Sequence, residues 1–192
     1  VGTMPRTLAA MLARIPRARL QPGDVLISND GYLGTGHLND ITMVKPVFVG
    51  GRIIAWIGST VHATDIGGAP SVEARDAWEE GLTIPVARIL KGGEENEDVI
   101  AFLEANLRMP GEVLGDIRAQ FAMYDQAEPR LKRILAEEGL ADADGLAAEM
   151  RAIYLGFRGL MPDRPLPAVH VVFGAGNSGG TAAPDGQVLG LE

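Results

Sequence analysis

The sequence contains three histidines, and two of them, His37 and His62, stand in similar settings. The first lies in Gly34-Thr35-Gly36-His37-Leu38-Asn39-Asp40, the second in Thr60-Val61-His62-Ala63-Thr64-Asp65-Ile66-Gly67-Gly68. Each marks a junction between a strand-like run and a glycine-bearing loop. Neutral imidazole nitrogens combined with a hard carboxylate oxygen suit a divalent transition metal such as Zn, Mn or Fe. A set of two histidines and one carboxylate also leaves positions open for water or substrate, which catalysis needs and a structural site avoids. Glycines let the backbone turn tightly around an ion. The alternative is that both histidines are ordinary loop residues hydrogen-bonded to nearby carbonyls.

Other stretches offer less chemistry. Gly174-Ala175-Gly176-Asn177-Ser178-Gly179-Gly180 has the glycine content of a phosphate cradle, but no lysine follows it, so it reads as a flexible loop. Asn29-Asp30-Gly31 reads as a turn that sets a carboxylate at a strand end. Glu79-Glu80 and the cluster from Gly92 to Asp98 read as solvated charge, and His170 as a core or interface residue within an apolar strand. No serine occupies a nucleophile-elbow setting.

The elements that must position these residues follow from local pattern. Leu8, Met11, Leu12 and Ile15 recur at helical spacing after Thr3, a candidate cap, and Pro5, so a first helix is predicted to stop before Pro16. Val25-Leu26-Ile27-Ser28 is short, apolar and bounded by breakers, as a buried strand is. Ile41–Val49 and Arg52–Val61 are strand-like, and Gly50-Gly51 between them is a two-residue hairpin signal. Antiparallel arms bring the residues before Ile41 and those after Val61 to the same end, so His37, Asp40, His62 and Asp65 can converge. Pro46 cannot donate to a ladder, which predicts an edge strand or a bulge. A further short strand is expected within Thr83–Leu90, interrupted by Pro85. An amphipathic helix follows from Asn96 towards Pro110. A second runs from Glu112 through Tyr124 to Leu135, kinked or divided at Pro129. A helix over about 146–157 and a strand over 169–173 complete the prediction. The elements sum to an α+β fold: a hairpin-containing sheet region followed by several amphipathic helices.

Composition excludes several classes of function. With 17 Lys+Arg against 25 Asp+Glu the net charge is −8, so the basic face needed to bind nucleic acid is not expected. An apolar content of 46% with 22% charge excludes wholesale disorder. No apolar run approaches the roughly 18 residues needed to span a bilayer. Cysteine is absent and the first residues lack a basic-then-apolar signal pattern, so a cytoplasmic protein is the expectation. The opening Val1 suggests processing or a piece of a longer chain.

Several separate blocks, in order, resemble the hydantoinase B/oxoprolinase family. They are Gly23-Asp24-Val25 to Asn29-Asp30, Tyr32-Leu33-Gly34 to His37-Leu38-x-Asp40-Ile41, and His62 to Asp65-Ile66-Gly67-Gly68. Glu80-Gly81-Leu82-x-Ile84-Pro85, Asn96-Glu97-Asp98, and Asn106-x-Arg108-x-Pro110 to Gly115-Asp116-Ile117-Arg118-Ala119-Gln120 follow. Even Gly2-Thr3-Met4-Pro5 fits the segment that precedes them in that family. The likeness covers about residues 1–150, and 151–192 form an atypical Pro/Gly-rich segment. Family members usually carry proline where Gly31 stands and often a second histidine where Ala63 stands, and they are normally several hundred residues long.

The resemblance implies a B-type subunit, or part of one, in an ATP-dependent system that opens a small cyclic amide. A hydantoinase A-type ATPase subunit would phosphorylate the substrate. This chain carries no nucleotide-binding motif, so ATP chemistry would come only through that partner. The implied metal ligands are His37, Asp40 and His62, for Mn, Zn or Fe. Asp65 and Asp30 are the implied catalytic candidates: Asp65 orients a ligand or moves a proton, and Asp30 with Asn29 shapes the pocket. The same family contains ketone carboxylase subunits, and a non-catalytic scaffold that has kept the motifs is a third possibility. Homo- or hetero-oligomers are expected.

Overall fold

The computed structural model describes residues 3–139 except Thr35 and residues 70–72. The expected helix over 146–157, the strand over 169–173, His170 and the glycine loop 174–180 lie outside these residues.

The chain opens with helix α1 (Met4–Arg14), whose entry contains Pro5 and whose buried residues Met4, Leu8 and Met11 share one face. Thr3 occupies the cap position, but its hydroxyl makes no capping bond; its carbonyl instead accepts from the Thr7 amide at 2.9 Å and the Thr7 hydroxyl at 3.0 Å. Strand β1 (Val25–Ser28) is buried at every residue. Strands β2 (Asp40–Val49) and β3 (Arg52–His62) form the expected hairpin. Gly50 and Gly51 take φ values of 56° and 78°, the positive pair a tight two-residue turn needs. Helix α2 (Ala77–Glu80), a single turn, was not foreseen; the Asp76 carboxylate caps it by accepting from the amides of Trp78 and Glu79. Strands β4 (Ala87–Lys91) and β5 (Glu94–Glu95), then helices α3 (Glu97–Asn106) and α4 (Pro110–Glu137), complete the described chain.

The five strands form one antiparallel sheet in the order β3-β2-β1-β4-β5. Side chains alternate across it. On one face Leu26, Val44 and Trp56 pack with Met4, Leu8 and Met11 of α1. On the other, Ile27, Met43, Val47 and Ile57 join Leu103 of α3 and Val113, Ile117 and Tyr124 of α4. The fold is therefore α+β, with helices on both faces of an antiparallel sheet.

Pro46 left two alternatives, an edge strand or a bulge; β2 is an interior strand, and the structure supports the second. Pro46 is tolerated because β1 pairs only as far as Val44, so Pro46 has a neighbour, Trp56, on one side alone, and the ladder shifts register between Val47 and Phe48. The strand expected from Thr83 begins only at Ala87, because side chains take part in holding Ile84: its amide donates to Asn29 Oδ1 at 2.6 Å, and its carbonyl accepts from Ser28 Oγ at 3.0 Å as well as from the Asn29 amide at 3.2 Å. Of the two outcomes expected at Pro129, a kink or a division, the division does not occur: the segment is one helix of 28 residues. Pro129 lies on its exposed side, while Tyr124, Leu131 and Leu135 are buried, so packing of the apolar face carries the helix past the lost hydrogen bond.

Candidate metal centre

Asp40 opens β2, His62 closes β3, and the two are direct register partners at the open end of the hairpin. His37 lies three residues before Asp40, in the loop that leads into β2. The Asp40 carboxylate bridges the histidines: Oδ2 lies 3.1 Å from His37 Nε2 and Oδ1 2.9 Å from His62 Nδ1. The two rings are tilted at 42° with their centroids 5.1 Å apart. Asp40 and His37 are half-buried, whereas His62 is exposed.

One donor atom from each of the three residues falls within 4.8 Å of the others. Metal–nitrogen and metal–oxygen bonds of about 2.0–2.2 Å bring such donors to roughly 3–4 Å from one another, so adjustment on the order of an ångström would close the set around an ion. His37 has room for it. Its Nδ1 is buried without a hydrogen-bond partner among the described residues, so the polar contact of the ring is at Nε2, facing Asp40. Nitrogen, nitrogen and carboxylate oxygen is a donor set that fits a divalent transition metal.

Asp30 and Asp65 lie to either side of this cluster and are not part of it. Asp30 Oδ1 accepts from the Tyr32 amide at 3.0 Å, and the residue lines, with His37, Tyr32, Trp78 and Glu80, a cavity of about 640 Å³. That volume is in the range of small-molecule pockets. Asp65 lines a second cavity of about 350 Å³ with His62, Asn39, Glu80 and Arg108. Its Oδ1 accepts from the Gly67 amide at 2.8 Å and its Oδ2 lies 3.4 Å from Arg108.

Glu80, which by sequence alone is solvated charge, has a different place in the structure. Its Oε2 accepts from the Leu38 amide at 3.0 Å, and the residue lines both cavities. Arg108, which donates to the Gly68 carbonyl at 3.2 Å, is the cation of the smaller cavity. Both residues stood in blocks that carried the family resemblance, the one signal in the sequence that could have singled them out. Glu79 keeps the solvated character expected of it: it is held below the ordinary carboxyl range by hydrogen bonds from Arg75, its neighbour on the surface.

The antiparallel sheet thus brings two histidines and one carboxylate together at one end, with His37 lining one cavity and His62 the other. Residues 1–153 match the sequence profile of the hydantoinase B/oxoprolinase family, and the chain belongs to that family. It is 40% identical over 119 residues to a 5-oxoprolinase of Pestalotiopsis fici, covering 55% of this chain and 9% of that protein. It is 34% identical over 134 residues to the caprolactamase subunit beta of Pseudomonas jessenii, covering 67% of this chain and 23% of the relative. The crystal structure of the ATP-dependent caprolactamase from Pseudomonas jessenii superposes with a TM-score of 0.68 at 30% identity, over 87% of this chain and 30% of that one. The chain thus spans less than a quarter of the length of either curated relative.

Proposed function

We propose that this chain is the metal-bearing, B-type part of an ATP-dependent cyclic amide hydrolase, and that it completes ring opening of a substrate activated by a hydantoinase A-type ATPase subunit. The observation that carries the proposal is the closure of His37, Asp40 and His62 into one donor cluster at the edge of a cavity of about 640 Å³. Membership of the family supports the same reading.

A divalent Zn, Mn or Fe ion bound by these three residues would supply Lewis-acid stabilisation of the oxygen on which negative charge develops as water adds to the carbonyl carbon. The remaining work falls to the chain's own groups. Asp65, oriented by Arg108 and the Gly67 amide, takes the proton released by the attacking water. Asp30, fixed by the Tyr32 amide, shapes the wall of the larger cavity beside His37. Collapse of the adduct breaks the ring C–N bond, the proton taken by Asp65 passes to the departing nitrogen, and a second water cleaves the acyl phosphate that remains, giving the amine, the carboxylate and inorganic phosphate.

The test is elemental analysis of the purified chain beside His37→Ala and His62→Ala, followed by turnover with a co-expressed A-type subunit, ATP and a cyclic amide. Near-stoichiometric metal that both substitutions abolish, together with metal-dependent ring opening, is the expected result. A ketone with bicarbonate serves as the control substrate for carboxylase chemistry. Absence of bound metal after supplementation would leave a scaffold role in its place.

A further inference from the structure

We infer that Glu80 and Asn29 are the positioning residues of this centre, which together fix where His37 and Asp40 stand by gripping the two polar groups of one intervening residue, Leu38. The inference rests on the metal reading above and deepens it.

Leu38 adjoins His37 and lies two residues before Asp40, in a stretch that belongs to no helix or strand. Nothing in a regular hydrogen-bond pattern therefore holds its backbone. Two side chains, one nine residues before it and one 42 residues after it, do so instead. The Leu38 amide donates to Glu80 Oε2 at 3.0 Å, and the Leu38 carbonyl accepts from Asn29 Nδ2 at 2.7 Å. With both its N–H and its C=O held and its side chain buried, Leu38 has little freedom to turn, and turning it would swing His37 directly.

The two grips are themselves anchored. Asn29 is 3% exposed, and besides Leu38 it binds the Leu82 carbonyl at 2.8 Å and the Ile84 amide at 2.6 Å. Glu80 forms no ion pair among the described residues, so its carboxylate is committed to the loop and not to a surface cation. A carboxylate accepting from a backbone amide makes a stronger bond than a neutral acceptor does.

The segment that carries Glu80 also holds the loop following His62. The Ala69 amide donates to the Glu79 carbonyl at 2.7 Å and the Leu82 amide to the Ile66 carbonyl at 3.0 Å. Gly68 comes so close to this segment that a side chain there would overlap the backbone at Glu80 and Gly81, about 2.5 Å away. Residues 79–82 therefore act as a spacer between the loop that bears His37 and the loop that leaves His62. Partners that orient a metal ligand from outside the coordination set typically change affinity by about 10–100-fold when removed.

Cobalt(II) is a suitable probe, because its visible spectrum reports coordination geometry independently of turnover. The full 192-residue chain would be titrated with Co²⁺ as parent, Glu80→Ala, Glu80→Gln and His62→Ala, with the melting temperature of each metal-free protein recorded in parallel. Glu80→Ala is expected to weaken Co²⁺ binding about 10–100-fold and to alter the spectrum while its metal-free melting temperature stays near the parent's. Glu80→Gln, which keeps an acceptor oxygen at the same reach, is expected to restore most of the affinity. If Glu80→Ala fails to fold, Glu80→Asp, one methylene too short to reach Leu38, is expected to bind weakly. Parent-like affinity in Glu80→Ala or Glu80→Asp, with affinity lost in His62→Ala, would overturn the positioning role and leave the metal reading intact. Affinity that falls only in step with metal-free stability, without rescue by glutamine, would reduce Glu80 to a structural residue. Failure of the parent to bind Co²⁺ would remove both.

Discussion

Asp40 is the residue on which the proposed centre turns, because its two carboxylate oxygens are shared between the two histidines. Asp40→Asn keeps the shape but offers one acceptor where there were two and removes the negative charge that favours a cation. Its expected effect on Zn²⁺ affinity, read by competition with a chromophoric chelator, exceeds the roughly 10–100-fold typical of groups outside the coordination set. An affinity equal to the parent's would exclude Asp40 as a ligand. That Asp40 and His62 come to the same end was legible because a Gly-Gly turn makes the two arms antiparallel; their direct pairing was not, since the register at the turn, Val49 with Arg52, would set Asp40 opposite Val61, and the shift between Val47 and Phe48 brings His62 there instead. His37 followed, three residues upstream. Glu80 was not legible. Its contact with Leu38 spans 42 positions and is made to a backbone amide, which leaves no mark in residue type.

At the scale of elements, local pattern was sufficient where the burying surface was local. β1, the hairpin and α1 sit where their apolar spacing put them. It fell short where tertiary contacts decide the outcome, as at Pro129, where α4 is not divided, and in the stretch before β4, where the Asn29 side chain takes the Ile84 amide. The docking of α4 on the sheet has its own polar anchor: Lys45 of β2, nearly buried, lies 3.0 Å from Glu128 and 3.4 Å from Asp125. Burial acts to raise the Glu128 carboxyl, but hydrogen bonds from Lys132 and Lys45, with their charges, outweigh it and hold the group below its ordinary range. The sign follows from that direction. With the folded value below the unfolded one, Glu128 contributes stability that is fully present above about pH 4.3, the unfolded glutamate value, and is lost as pH falls through the lower folded value. Glu128→Gln is therefore expected to lower stability at neutral pH by about 1 kcal/mol or less, solvent screening of this partly exposed group taken into account. In urea unfolding across a pH series, the gap between parent and variant should close on acidification. A gap independent of pH would show that the Lys45 contact does not draw on the charge of Glu128.

At the scale of the whole molecule, the proposed function assigns this chain one part of a reaction and leaves activation to a partner. It belongs to a family whose curated relatives named above are far longer, its sequence holds no nucleotide-binding motif, and its one donor cluster among the described residues sits between two open cavities. The family was legible because its blocks lie on the loops and strand ends that build the site. The surface that would meet a partner was not, since such a face is assembled from residues far apart in sequence and follows no period. If activation and ring opening are separate steps on separate parts, they can be uncoupled by a single substitution. His62 is the residue to use, being an exposed ring at the end of β3 whose loss leaves the core clusters untouched. In a complex with an A-type subunit, His62→Ala is expected to consume ATP in the presence of a cyclic amide while forming little opened product, so the ratio of phosphate released to product formed rises well above the parent's. The two yields are measured in one reaction, phosphate by colorimetry and product by chromatography. Equal loss of ATP consumption and product would mean that His62 acts before activation, and the division of labour proposed for this chain would be wrong.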